Sequence, residues 1–285
     1  MSRLVAFSAL IATSALMGCS TPSAVTSPAV ATPPTAVEAI GETRPGSGVL
    51  NGYLPRAALP DSLALLPPPP LAGSPAAQAD EAVFRQTRAL AGSPRWALAA
   101  QDANLQFPAA AGVFACSLGF DVTPEQTPHL YTLLRRTLPD AGLSTYKAKD
   151  HYKRLRPFAA LGGTSCTPDD EAKLAKDGSY PSGHSALGWA WALILAELAP
   201  DKANAILARG TAYAQSRVIC GVHWQSDADQ GRMMGAATVA RLHADPVFKA
   251  QLQAAGNEVK QALAAGKPPA GRDCGAEAAA LSNAR

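Results

Sequence analysis

The chain has 285 residues, of which 47% are hydrophobic, and its formal net charge at pH 7 is +3. This length and composition are enough for one domain of more than about 200 residues with a substantial core. Basic residues are spread along the sequence, so the mild charge predicts no face for nucleic acid. An alanine-rich chain with only 6% aromatic residues favours helices.

Residues 1–19 are typical of an export signal. Arg3 supplies the charged start, and residues 4–16 form an apolar segment too short to span a membrane. The closing Leu16-Met17-Gly18-Cys19 resembles a bacterial lipobox, in which Cys19 is lipidated and becomes the new N-terminus. The alternative is an ordinary cleaved signal. Both interpretations predict a periplasmic protein, attached to the membrane only through a lipid on Cys19 if at all.

Four cysteines remain if Cys19 is lipidated or removed. They are Cys116, Cys166, Cys220 and Cys274. In an oxidising compartment an even number predicts two disulfides, for which the sequence allows three pairings. The chain has no Cys-x-x-Cys pair with histidine partners, so we expect no structural zinc site.

The remaining chain divides into a tether, one domain and a tail. Residues 20–48 are rich in Ser, Thr, Pro and Ala and predict a flexible tether. Pro67-Pro68-Pro69-Pro70 predicts an extended strap over the domain surface. Apolar periodicity and capping residues predict helices near 76–91, 93–104, 127–138, 147–155, 184–199, 201–216, 224–243 and 246–265. Because alternating patterns of strands are absent, we expect an all-α domain, a single helical bundle over 49–265, followed by a disordered tail over 266–285.

A turn-rich octamer, residues 178–185, leads directly into the apolar helix predicted from His184. Pro181 and Gly183 disfavour a helix before that point, and Ser182 can cap the helix that follows. The start of a helix presents unpaired N–H groups and the positive end of the dipole, which together favour anions. His184 could therefore contact a phosphate and give it a proton. The alternative is a serine-capped helix with an incidental surface histidine.

Two further clusters are ambiguous when taken singly. Lys149 and Arg156 are seven residues apart, which on one helix would place two cations on the same face, suited to phosphate or simply solvated. His223 and Asp227 are four residues apart at a predicted helix start, so the carboxylate can fix the imidazole tautomer. The same pair also occurs as an ordinary helix contact. Arg217 adds a third cation six residues before His223.

Taken together and in order, these clusters are specific. Lys-x6-Arg-Pro, Pro-Ser-Gly-His and Ser-Arg-x5-His-x3-Asp resemble the signature of the type 2 phosphatidic acid phosphatase and vanadium haloperoxidase superfamily. The octamer 178–185 resembles the narrower signature of bacterial class A non-specific acid phosphatases, with Ser185 where that family usually has threonine. The likeness extends over roughly residues 50–255 and includes Asp102-Ala103-Asn104-Leu105.

The resemblance implies a metal-independent acid phosphatase of broad specificity, without a cofactor, acting on small phosphomonoesters. It makes His223 the nucleophile that forms a phosphohistidine, Asp227 its orienting partner and His184 the proton donor. The groups it implies for phosphate binding are Lys149, Arg156, Ser182, Gly183 and Arg217. It leaves open transphosphorylation and a homo-oligomeric state. The alternatives are a vanadate-dependent haloperoxidase and a non-catalytic phosphate- or nucleotide-binding lipoprotein.

The family resemblance also indicates how the four cysteines pair. It brings the loop before Pro181 and the loop between Arg217 and His223 to one phosphate, and related phosphatases carry cysteines at the positions of Cys166 and Cys220. We therefore expect the pair Cys166–Cys220, with Cys116–Cys274 as the second disulfide.

Overall fold

The computed structural model of the protein describes Met1 and residues 32–282. The predicted export signal, Cys19 and the first part of the predicted tether lie outside the described residues. The described chain is all-α as expected, and its one β contact is an isolated antiparallel bridge between Glu42 and Leu50. Within the same residues, no helix combines the length and the apolar character needed to cross a membrane.

The described residues form fourteen α-helices. The first five α-helices are α1 (Val37–Ile40), α2 (Ser62–Leu65), α3 (Pro75–Thr87), α4 (Pro94–Gln101) and α5 (Ala115–Leu118). The next five are α6 (Pro128–Ser144), α7 (Tyr146–Tyr152), α8 (Pro157–Leu161), α9 (Glu171–Leu174) and α10 (Gly183–Leu198). The last four are α11 (Ala203–Ile219), α12 (Gln225–Leu242), α13 (Pro246–Ala265) and α14 (Cys274–Ser282). Short 3₁₀ helices cover Arg56–Ala58, Arg88–Leu90, Ala109–Phe114, Pro168–Asp170 and Pro200–Lys202.

Capping residues explain where several helices begin. The hydroxyl of Ser93 accepts the N–H of Trp96 at 3.2 Å, and Pro94 occupies the first turn, as the sequence predicts. Ser182 caps α10 in the same way, accepting the N–H of Ser185 at 3.2 Å. These caps satisfy N–H groups that have no partner inside the helix.

Helix α10 is the centre of the bundle. It packs against α6, α11 and α12, and α6 in turn packs against α13. Trp191, Ile194 and Leu195 have no exposed surface, because α10 is apolar on all sides. The buried position of α10 fixes its first residues, among them His184, at one end of the core.

The strap before α3 lies across this end of the bundle. Leu66 packs with Ala148 and Tyr180, and the hydroxyl of Tyr180 donates to the carbonyl of Pro67 at 2.6 Å. The hydroxyl of Ser62 accepts the N–H of Ala148 at 2.9 Å. The strap therefore holds α7 against the segment that precedes α10.

Two expectations about the ends of the domain need correction. The tail predicted as disordered over 266–285 contains α14, which a disulfide between Cys116 and Cys274 and the ion pair of Arg209 with Glu277 (3.2 Å) tie to the bundle. Residues 32–48, predicted as tether, contain α1 and the first residue of the Glu42–Leu50 bridge. Nη2 of Arg135 in α6 donates to the carbonyl of Gly48 at 3.0 Å, which ties this segment to the bundle. Local composition does not encode such long-range contacts.

Candidate active site

His223 lies in the turn between α11 and α12, and its hydrogen-bond partners assign its tautomer. Its Nε2 lies 3.0 Å from Nη1 of Arg156, and a guanidinium can only donate, so Nε2 is the acceptor. Nδ1 therefore carries the proton and donates to Oδ2 of Asp227 at 3.3 Å. The residue is 3% exposed. The imidazole thus keeps an unprotonated Nε2 lone pair on the side where cations gather.

Asp227 is fully buried at the start of α12. Its Oδ2 also accepts the N–H of Trp224 at 2.9 Å, and its Oδ1 accepts from Nη1 of Arg154 at 2.7 Å. Burial raises the pKa of Asp227, while Arg154 and the Trp224 N–H act against that rise. The carboxylate is therefore held from both sides.

The Pro181–His184 turn lies directly against this pair. The N–H of Ser182 donates to the backbone carbonyl of Asp227 at 2.9 Å. The Ser182 oxygen accepts from the N–H (3.2 Å) and the hydroxyl (2.9 Å) of Ser185, which leaves its own O–H free to donate elsewhere. The N–H of Gly183 is in the first turn of α10, where N–H groups lack intrahelical partners. These groups and the helix dipole favour an anion at this point.

His184 is at the mouth of the site, with part of its surface exposed. Its Nε2 lies 3.1 Å from the carbonyl oxygen of Ala103, which can only accept, so Nε2 carries a proton. Burial of the ring, and next the charge of Arg217, lower the pKa of His184 well below 6.5, although the Ala103 contact opposes this. A phosphate dianion beside the ring would raise that pKa, because it stabilises the imidazolium.

Three buried cations surround the two histidines. Burial, followed by the neighbouring Arg156, lowers the pKa of Lys149 to about 8, and burial lowers the pKa of Arg217 to about 10. Within residues 32–282, Nε and Nη1 of Arg217 are buried without a hydrogen-bond partner. A buried guanidinium with unsatisfied N–H groups favours the binding of an anion. The charges of these three cations also lower the pKa of His223, after burial itself.

The structural reason given above for Lys149 and Arg156 is wrong, although both residues reach the site. Helix α7 ends at Tyr152, because Lys153 takes a left-handed conformation (φ +44°), and Arg156 precedes α8 as its N-cap. The two cations instead bind backbone carbonyls of the segment 174–178, which is the end of α9 and the loop that follows it. Nζ of Lys149 donates to the carbonyl of Gly178 at 2.6 Å, and Nε of Arg156 donates to that of Leu174 at 2.8 Å.

Three charged residues at the site have no signal in the sequence motifs. Arg154 contacts Asp227, and Asp80 of α3 holds Arg154. Asp177 lies 3.2 Å from Nη2 of Arg156 and 3.9 Å from Nζ of Lys149. Arg154 lies in the run Lys153-Arg154-Leu155-Arg156, and such a pattern of basic residues is typical of a solvent-exposed charged segment. Asp80 is 74 residues from Arg154, so no spacing could have linked them.

The disulfide Cys166–Cys220 joins the two loops that approach His223. The N–H of Cys166 also donates to the carbonyl of Cys220 at 3.0 Å. Cys116–Cys274 is the second disulfide. Both pairs are those expected from the sequence, the first through the family resemblance and the second as the remaining pair. Among the residues that the structure describes, no three or more side chains of His, Cys, Asp or Glu are grouped so as to hold a metal ion.

The chain is similar to known proteins over most of its length. Residues 130–249 match the PAP2 superfamily. A non-specific acid phosphatase of Providencia stuartii is 46% identical over 207 residues, which are 72% of this chain and 84% of that protein. The chain belongs to the PAP2 superfamily. An acid phosphatase of Zymomonas mobilis is 42% identical over 209 residues, 73% of this chain and 79% of the relative. A non-specific acid phosphatase of Salmonella typhimurium is 43% identical over 188 residues, 66% of this chain and 75% of the relative.

The segment that matches the PAP2 superfamily contains the proposed site. Residues 130–249 run from α6 to the first turn of α13 and include α10, α11 and α12. They therefore contain every residue proposed above for catalysis or phosphate binding. Asp80 and Ala103, which contact Arg154 and His184, lie before the matched segment.

Proposed function

We propose that this protein is an acid phosphatase that hydrolyses phosphate monoesters through a phosphohistidine at His223. One observation carries the proposal: the Nε2 lone pair of a buried, Asp227-bound imidazole faces a cluster of cations. A lone pair is a nucleophile, and buried cations without enough anionic partners bind a phosphoryl group. The relatives of this chain that are named acid phosphatases support the same activity.

In the first step His223 attacks phosphorus. The phosphate displaces the Arg156 N–H from Nε2, and that N–H turns to a phosphoryl oxygen. The Nε2 lone pair forms the N–P bond while the bond from phosphorus to the ester oxygen breaks, and that oxygen takes a proton from His184. Because Nε2 of His184 is bound to Ala103, Nδ1 is the atom that gives the proton. Asp227 stabilises the positive charge that develops on His223.

In the second step water replaces the alcohol. Nδ1 of His184, now unprotonated, takes a proton from the water, whose oxygen attacks phosphorus. The N–P bond breaks and returns its electron pair to Nε2 of His223. The products are an alcohol and inorganic phosphate, and the enzyme is unchanged. An alcohol in place of this water would receive the phosphoryl group, so the same intermediate allows phosphotransfer.

Fixed donors stabilise the charge of the transferred group. They are Lys149, Arg156, the Ser182 hydroxyl, the Gly183 N–H and Arg217. Preorganised donors in a buried site can stabilise such a transition state without reorganising, and protein cations can serve where other phosphatases use metal ions. We therefore propose that the activity does not depend on a metal.

The test is a panel of phosphomonoesters across pH, with and without EDTA, for the wild type and His223→Ala. We expect hydrolysis at acid pH that EDTA does not change, and a loss of roughly 10⁴-fold or more in kcat for His223→Ala. Quenching the reaction of a ³²P-labelled substrate in alkali should trap ³²P on the wild type as a base-stable, acid-labile adduct, and none on the variant. Near-wild-type turnover by His223→Ala would refute the nucleophile. Phosphate binding without turnover would favour the non-catalytic alternative.

We also propose that the enzyme works outside the cytoplasm, held at a membrane by a lipid on Cys19. Two disulfides fit an oxidising compartment. The lipobox-like tetrapeptide supports the anchor. Cys19→Ser should then release the protein from the membrane fraction, and wild-type protein found wholly in the soluble fraction would refute the anchor.

A further inference from the structure

Both Nη atoms of Arg154 are bound to protein groups of the site. Its Nη1 donates to Oδ1 of Asp227 at 2.7 Å and to the hydroxyl of Ser226 at 2.8 Å, and its Nη2 donates to Oδ2 of Asp80 at 2.8 Å. The guanidinium also lies 5.2 Å above the ring of Trp224. Its side chain is 13% exposed. Arg154 thus differs from Arg217, whose N–H groups remain available for an anion.

Asp80 holds this arginine from a different part of the fold. It is 4% exposed on α3, and its Oδ1 accepts the N–H of Ser226 at 2.9 Å. Its Oδ2 accepts the Ser226 hydroxyl at 2.5 Å in addition to Arg154. Asp80, Arg154, Ser226 and Asp227 therefore form a network that ties α3 to the start of α12. Two buried carboxylates share one guanidinium in it.

This network controls the group that orients the nucleophile. A fully buried carboxylate tends to be neutral unless a cation stabilises its charge. Arg154 is the cation in direct contact with Asp227, and it engages the oxygen that His223 does not use. Arg154 therefore favours the ionised carboxylate and fixes its rotation toward Nδ1.

We infer that Arg154, held in place by Asp80, is a positioning residue that keeps Asp227 ionised and directed at His223. The inference rests on the phosphatase function proposed above and concerns the same reaction. Neither Arg154 nor Asp80 contacts the substrate in this proposal. Both act through Asp227.

Other charges also act on the Asp227–His223 pair. The charged and titratable groups that face it are Lys149, Arg154, Arg156, Tyr180, His184 and Arg217. Each variant below leaves all of these except Arg154 unchanged. Removing one positive charge favours proton uptake by the pair, so its macroscopic pKa rises. This direction holds whether the proton is assigned to the carboxylate or to the imidazole.

The experiment compares Arg154→Gln, Arg154→Lys and Asp80→Asn in the full-length enzyme. We measure kcat/KM, the affinity for inorganic phosphate by calorimetry, and the pH titration of the ¹⁵N-labelled His223 ring by NMR. Arg154→Gln should lower kcat/KM about 10- to 100-fold, as loss of an outer partner does at metal-bound histidines. It should move the His223 titration to higher pH and leave phosphate affinity at pH 7 within about twofold of wild type. In Arg154→Lys the His223 titration should return most of the way to its wild-type pH, whereas kcat/KM should recover less.

Asp80→Asn tests the position of Arg154 separately from its charge. It keeps the charge of Arg154, so kcat/KM should fall while the His223 titration does not move to higher pH. Arg232→Gln and Glu81→Gln are the controls, since each removes one charge from a helix that the network joins. Arg232 lies on α12 in an ion pair with Asp229, and Glu81 lies on α3 in an ion pair with Arg85. Both should behave as wild type.

Three results would overturn the inference. One is an unshifted His223 titration in folded Arg154→Gln, and another is a loss of phosphate affinity that accounts for its loss of rate. If Arg154→Gln does not fold, the third result is a shift of the His223 titration to higher pH in Asp80→Asn. Failure of the phosphatase proposal itself would appear separately, as absent turnover by the wild type or retained turnover by His223→Ala.

Discussion

At the scale of single residues, the two histidines of the site are held in different ways. His223 is fixed at both nitrogens, by Asp227 and Arg156, whereas His184 is bound at Nε2 alone, by the carbonyl of Ala103. A ring with one free nitrogen can exchange a proton without losing its position. This asymmetry suits His184 to acid–base catalysis and His223 to nucleophilic attack.

The loss caused by His184→Ala should therefore depend on the leaving group. Alkoxides need a proton as they depart and aryl oxides need it less, so kcat/KM should fall about 10²- to 10⁴-fold for an alkyl phosphate and far less for 4-nitrophenyl phosphate. His151→Ala, which removes an exposed imidazole from α7, is the control and should change neither rate. Equal losses for both substrates would contradict the role of His184 as the acid.

Sequence motifs identify residue types well and contacts poorly. Lys-x6-Arg, Pro-Ser-Gly-His and Arg-x5-His-x3-Asp name side chains that the structure brings to one place, but their roles remain predictions until they are tested. The helical face proposed for Lys149 and Arg156 is wrong, because Lys153 breaks the helix. Asp80 and Arg154 could not be paired from the sequence, since a salt bridge between distant segments leaves no local pattern.

At the scale of elements, the site depends on how closely α10 and α12 approach. Gly231 lies where the two helices cross, and a Cβ there would be 2.5 Å from the carbonyl oxygen of Ser182 and 2.8 Å from Cβ of Ser185. The carbonyl belongs to the backbone of the Pro181–His184 turn and cannot swing aside. Only glycine at position 231 therefore allows this turn to reach His223.

Gly231→Ala should push the turn away from His223. We expect kcat/KM to fall about 100-fold, as a displacement of about 1 Å can cause, and the free energy of unfolding to fall by about 1–3 kcal/mol. Steady-state kinetics and urea unfolding measure the two effects. Gly142→Ala in α6 is the control, because its Cβ would meet nothing within 4 Å; alanine should keep activity and leave stability equal or higher. Full activity in Gly231→Ala would show that the close approach is not needed.

Most long helices could be predicted from periodicity and caps, whereas the ends of the domain could not. The helix predicted over 246–265 matches α13, and Ser93 and Pro94 begin α4 as expected. Helix α14 has only nine residues, too few to be stable by local propensity. Cys274 and Glu277 hold it through partners more than 60 residues away in sequence. Such segments become ordered only once the bundle exists.

At the scale of the whole molecule, buried histidines couple stability to pH. The pKa values of His184 and His223 lie well below 6.5 in the folded protein. Below about pH 6.5 the unfolded chain binds more protons than the folded chain, so the free energy of unfolding falls as pH falls, by up to about 1.4 kcal/mol per pH unit for each histidine. Burial raises the pKa of Asp140 to about 6, which has the opposite effect between about pH 4 and 6.

The difference between the wild type and His184→Gln isolates one histidine, because Asp140 contributes equally to both. The free energy of unfolding of the wild type relative to the variant should decrease by about 1 kcal/mol or more from pH 7 to pH 5.5, measured by urea unfolding without phosphate. Inorganic phosphate should then stabilise the wild type, by RT ln(1 + [L]/Kd), more strongly at pH 5.5 than at pH 7, a range in which Lys149, with its pKa of about 8, stays charged. The reason is that tight binding requires a proton on His184, and taking up this proton costs more free energy as the pH rises. His184→Gln should lose most of this pH dependence, while His151→Gln should keep it. A constant difference across pH would mean that His184 is not held neutral in the folded, phosphate-free enzyme.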